Sequence, residues 1–171
     1  MRLFRGKIAV ISAEVARTLS EEGDIDTDNL PEVEQDVEAV LKEYLRTDLE
    51  IVEKAKDLLE IRKLPYSQFS RIKKTIADTR GFGIGEDSLD YIIQQIIGSF
   101  MHSVHVQEVY TEDHELRRKI RPILRKHMSV DEEVEQEVRD KIKNLQEGSS
   151  SWEVEYQRVK EQILRKRRLS E

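Results

Sequence analysis

Residues 8–25, IAVISAEVARTLSEEGDI, and residues 89–106, LDYIIQQIIGSFMHSVHV, decide how this chain is read. Displaced by 81 positions, Ile8, Ile11, Val15, Leu19 and Ile25 fall on Leu89, Ile92, Ile96, Phe100 and Val106. The steps of three and four residues are those of one buried helix face. The correspondence continues outward. At a displacement of 83, Val33, Val37, Val40, Leu41 and Leu45 fall on Leu116, Ile120, Ile123, Leu124 and Met128, and Asp48, Glu50, Ile51 and Asp57 on Asp131, Glu133, Val134 and Asp140. At 87, Phe69, Arg71, Ile72, Lys73 and Ile76 fall on Tyr156, Arg158, Val159, Lys160 and Ile163. Helical periodicity alone matches apolar positions, but it does not account for the matched charges. The chain therefore reads as a diverged internal duplication.

Each half reads as four helices. In the first, the stripes are Ile8/Ile11/Val15/Leu19, Val33/Val37/Leu41/Leu45, Val52/Ala55/Leu59 and Phe69/Ile72/Ile76. Asn29 or Asp28 is placed to cap a helix with Pro31 in its first turn. Thr47–Glu50 and Ser150–Glu153 have the spacing of a capping box, in which a hydroxyl and a carboxylate satisfy orphan backbone N–H groups. The segment Leu89/Ile92/Ile93/Ile96/Ile97/Phe100/Met101/Val104 is apolar over more than one stripe, so it is expected to be the central, most buried helix. Pro122 interrupts LRRKIRPILRKHM, where it removes one backbone hydrogen bond and favours a bend. The expected fold is all-α: residues 1–80 and 88–171 form two pseudo-equivalent four-helix halves packed around one shared core, joined by a Gly-rich linker at 81–87.

Composition agrees with that class. Among 171 residues there are only 7 Gly and 3 Pro, about half the usual combined share of roughly 12%, and a sandwich or barrel needs a turn every 8–12 residues or so. Charged residues make up 37% and the net charge is −6. The absence of Cys excludes disulfides, thiolate metal sites and a Cys nucleophile. The apolar run Ile8–Ile11 is too short for a secretory segment, and no run has the roughly 20 apolar residues of a membrane span. A cytoplasmic location is expected.

The segments MRLFRGKI, SEEGDI, LPYSQFSRIKK, RGFGIGED, DHELRRK and WEVEYQRV resemble a bacterial family known as domain of unknown function 507. The resemblance runs through nearly the whole chain. It implies a bacterial, cytosolic origin, and it carries over no catalytic or binding residue.

Several patterns imitate sites. Gly81, Gly83 and Gly85 suggest a phosphate loop, but the spacing is GxGxG, a helix precedes and no Lys-Ser/Thr follows, so a flexible join between repeats is expected. Asp24, Asp26 and Asp28 begin like a calcium loop; Asn29 and Gln35 stand where Gly and the bidentate Glu belong, so an acidic helix N-terminus is expected. His102 and His105 are spaced to share a helix face, with His114 and His127 further on, but no HExxH accompanies them. No Ser, Thr or Lys has a recognisable nucleophile context. No metal, cofactor or enzymatic activity is expected.

The charge pattern is more informative. Residues 18–41 contain nine acids (Glu21, Glu22, Asp24, Asp26, Asp28, Glu32, Glu34, Asp36 and Glu38) and no Lys or Arg. Residues 115–127 contain Arg117, Arg118, Lys119, Arg121, Arg125 and Lys126 against Glu115 alone. Arg165, Lys166, Arg167 and Arg168 form a second basic cluster. These ten cations are the candidate interaction patch. The expected function is a non-enzymatic interaction or scaffold module, with a protein partner or a second copy of itself, and without membrane insertion. The alternative is a nucleic-acid accessory protein that uses the basic helix and tail.

Overall fold

The computed structural model describes residues 1–129, 132–147 and 149–168, without the side chains of 132, 133, 167 and 168. The fold is mostly helical: α1 (Ile8–Glu21), α2 (Leu30–Ile61), α3 (Phe69–Thr79), α4 (Ser88–His102), α5 (Asp113–Met128), α6 (Glu132–Ile142) and α7 (Ser150–Arg168). Short 3-10 turns at Arg5–Lys7, Tyr66–Gln68 and Gly85–Asp87 lead into α1, α3 and α4. Two strands of two residues each, β1 (Ile25–Asp26) and β2 (Glu108–Val109), pair antiparallel, with Ile25 opposite Val109. Among the described residues no helix is long and apolar enough to cross a membrane.

The chain divides into two compact units, residues 1–128 and 129–171. In the first, α1 packs against α2 and α5, and α4 packs against α5 and α2. The apolar faces meet in one cluster running from Leu3 to Met128. Ile92, Ile93, Ile96, Ile97 and Phe100 are buried at its centre, as the breadth of that apolar segment predicts. Met101 and Val104 depart from the prediction and are exposed: Val104 lies beyond the end of α4 at His102, and Met101 sits in its last turn, off the buried face that holds Ile96, Ile97 and Phe100. In the second unit α6 and α7 pair, burying Val134, Val138 and Ile142 with Trp152, Tyr156, Val159 and Ile163.

The expected single core shared by two four-helix halves is corrected accordingly: the continuous core belongs to residues 3–128. The expected pair of helices over residues 33–59 is also corrected, because α2 is one helix of 32 residues. No Gly or Pro interrupts it beyond Pro31. Arg46, paired with both Glu43 and Glu50, bridges the proposed break. Thr47 is therefore mid-helix and caps nothing. At α7 the cap is Ser149 rather than Ser150: its hydroxyl accepts from the Trp152 N–H at 3.1 Å. Pro122 lies within α5.

Segment 81–87 connects α3 to α4 inside the first unit as a packed turn. Phe82 is buried and stacks on Tyr44, ring centroids 4.7 Å apart. A side chain at Gly83 would come within 2.5 Å of the Asp87 carbonyl oxygen and 2.7 Å of Tyr91 Cβ, so this position has no room for one.

Candidate interaction surfaces

The basic helix foreseen as a patch is largely occupied by acids of the same chain. Arg117 pairs with Asp113 and Arg118 with Glu115, one helical turn away. Arg121 reaches Asp90 of α4. Lys126 and His127 both contact Glu14 of α1, at 3.2 and 2.6 Å. The hydrogen bond with His127, aided by Lys126, holds the Glu14 carboxyl below the ordinary carboxylate range against the opposing effect of burial. Lys119 donates to buried Asp24 at 2.7 and 2.9 Å and pairs with Glu22 at 2.7 Å. Those bonds, Asp24 first, push its ammonium above the usual lysine value. Arg125 is exposed and also has interactions within the chain. Arg165 and Lys166 are exposed on α7, and the side chains of Arg167 and Arg168 lie outside the described residues.

The acidic segment and the basic helix meet where Lys119 pairs with Glu22 and Asp24. Elsewhere Glu32 lies by His105, Glu34 by Arg17 and Glu38 by Lys42, while Asp36 accepts from the Ser103 hydroxyl. Asp24 also accepts from Thr111, so its carboxylate is engaged within the fold. His102 and His105 do not share a helix face, since α4 ends at His102. Among the described residues no three His, Asp or Glu side chains group so as to hold a metal.

Two further surfaces stand out. A groove of about 550 Å³ runs between α2 and α4, lined by Asp36, Val40 and Glu43 on one side and Tyr91, Gln95 and Ser99 on the other. Asp36 has no cationic partner among the described residues, and Glu43 is paired only with exposed Arg46.

The second surface is the tip of the α2–α3 hairpin, and the sequence reading did not single it out. At the end of α2 the Leu64 N–H bonds the Leu59 carbonyl and the Lys63 N–H bonds that of Glu60. This is the Schellman closure, which places Lys63 in the left-handed region at φ 52°. Pro65 then prevents the helix from resuming. The resulting turn presents Ile61 at 75%, Leu64 at 39% and Tyr66 at 66% exposure, with the Tyr66 ring stacked on buried Phe69 at 5.3 Å. Residues 54–74 hold seven Lys or Arg against Asp57 and Glu60. Lys73 and Lys74 are paired with acids, whereas Lys54, Lys56, Arg62, Lys63 and Arg71 have no ion pair among the described residues. The signal was present in LPYSQFSRIKK, one of the segments carrying the family resemblance. It was hidden because these cations are dispersed rather than consecutive.

A family model described as a protein of unknown function, DUF507, matches residues 1–169. No curated protein matches the chain.

Proposed function

The chain belongs to the DUF507 family, and from its geometry we propose that it is a non-enzymatic helical interaction module that docks on protein through the α2–α3 tip. The observation that carries this reading is the tip itself, where exposed Ile61, Leu64 and Tyr66 lie next in sequence to Arg62 and Lys63, which have no ion pair among the described residues. Exposed apolar side chains ringed by charge are the usual composition of a protein-binding patch. The ion pairs of Arg117, Arg118, Lys119, Arg121 and Lys126 favour this over the nucleic-acid alternative, because a cation already neutralised gains less from a phosphate.

We also infer the duplication. Its support is the order 3-10 turn, helix, strand, helix, which occurs over residues 5–61 and again over 85–128. A second support is the pairing of corresponding positions. The displacement of 81 relates Glu22 to Ser103 and Glu14 to Gln95, and that of 83 relates Asp36 to Lys119 and Glu43 to Lys126. Lys119 meets Glu22 where Asp36 meets Ser103, and Lys126 meets Glu14 where Glu43 faces Gln95 across the groove. A bacterial, cytoplasmic setting is part of the same proposal, from the family resemblance and the absence of Cys.

The test is affinity purification from the source cells with and without nuclease, using wild type and an Ile61→Glu, Tyr66→Glu variant. Protein partners that resist nuclease and are lost with the variant support the proposal. Partners that vanish on nuclease treatment would establish the nucleic-acid alternative.

A further inference from the structure

We propose that the α2–α3 tip of one copy of this chain docks into the α2–α4 groove of a second copy. This deepens the proposed interaction role by naming the occupant, and it rests on that role for the assignment of the tip as a docking element.

The groove is where the duplication leaves a charge unanswered. At the corresponding place between α1 and α5, Glu14 receives Lys126 and His127, and Glu22 receives Lys119. There the basic side chains come from α5 and the acids from α1 or just beyond it. Between α2 and α4 the sign on the first helix is reversed, with Asp36 and Glu43 in place of Lys119 and Lys126. Opposite them, α4 and the residue after it offer Gln95, Ser99, His102 and Ser103, with no Lys or Arg among them. The chain fills one of these positions with its own ion pairs and leaves the other open, with a volume of about 550 Å³, within the range of roughly 300–1,000 Å³ typical of pockets that take a ligand.

The same chain carries a matching object. The tip is closed by its hydrogen-bonded cap and Pro65, and it is cationic through Arg62 and Lys63. It offers Ile61, Leu64 and Tyr66 to a groove whose floor includes Val40, Ile92 and Tyr91. Apolar side chains would bury against that floor while Arg62 and Lys63 face Asp36 and Glu43. Complementary charge of this kind steers encounter and fixes register. Tip and groove are different patches on one surface. Copies either close as a pair, each tip in the other's groove, or continue head to tail.

The test is sedimentation of the full chain over a range of concentrations, with two variants. One reverses the tip (Arg62→Glu, Lys63→Glu); the other reverses the groove (Asp36→Lys, Glu43→Lys). Wild type is expected to rise from 20.1 kDa toward about twofold mass if the pair closes, or beyond if it does not. The rise should be lost near 1 M salt, where the Debye length is about 3 Å. Each variant alone should stay monomeric, since its tip and groove then carry like charge. Mixed in equal amounts the two should associate, because each tip again meets a groove of opposite sign. Circular dichroism checks the fold of each variant. Should Asp36→Lys unfold the chain, Ala39→Arg with Glu43→Lys still makes the groove net positive, through two exposed positions and with Asp36 kept. A wild type that is monomeric throughout, or an association that ignores both reversals, overturns the proposal. A monomeric wild type that still captures nuclease-resistant partners through Ile61 and Tyr66 would overturn self-docking while leaving the interaction role standing.

Discussion

The Tyr44 hydroxyl donates to the Gly83 carbonyl at 2.9 Å, tying the middle of α2 to the turn that joins α3 and α4. Burial pushes this phenol's pKa well above its ordinary value, with the charge of Asp48 adding to the effect. Tyr44→Phe removes one hydrogen bond and is expected to cost about 0.5–1.5 kcal/mol, more if the carbonyl finds no water. Gly83→Ala is expected to cost about 1–3 kcal/mol, because its Cβ would strike backbone that cannot swing aside. Denaturant unfolding of both variants checks the pair. Equal stability of Gly83→Ala and wild type would mean that the turn is loose.

Ile96 is fully buried at the centre of α4. Ile96→Ala is expected to destabilise by about 2–5 kcal/mol, the range for losing a large core side chain and leaving a cavity. A midpoint that barely moves in thermal unfolding would displace α4 from the centre of the core.

Lys63 occupies the left-handed cap position that Gly23 and Gly81 occupy at the ends of α1 and α3. A side chain there costs about 1–2 kcal/mol. Lys63→Gly is therefore expected to stabilise the chain by about 1 kcal/mol while removing a tip cation. A gain in stability together with weaker association would mark Lys63 as retained for contact rather than for folding. Unchanged or lower stability would refute the strain.

The Glu14 carboxyl is held below 4.5 by its hydrogen bond to His127 and by Lys126. A depressed carboxyl contributes stability in full above its ordinary value, and that contribution is lost as pH falls through the folded-state value. Wild type should accordingly be more stable than Glu14→Gln at neutral pH, and the gap should close as the pH drops below about 4.5. Melting temperatures of both proteins across the acid range measure it. A gap that persists into strong acid would exclude this pair as its source.

Helical class and the burial of Ile92, Ile96 and Phe100 were legible from the chain alone, because side chains three and four apart must lie on one face wherever the helix is placed. The matched charges at the 83 and 87 displacements, such as Asp48 with Asp131 and Arg71 with Arg158, were legible in the same way, because they too are local spacings. What periodicity could not decide was continuity. Stripes at 33–45 and 52–59 fit two helices or one, and α2 runs through because nothing in residues 42–61 breaks it. Nor could charge runs reveal which cations are free. Arg117 to Arg121 form a conspicuous cluster, yet the tertiary fold brings Asp24, Glu22 and Asp90 to meet them. Arg62 and Lys63 are less conspicuous in sequence and have no ion pair among the described residues. Sequence determined which residues share a face. Only the packing of α1, α2, α4 and α5 decided which charges neutralise one another, because those partners lie 31 to 113 positions apart.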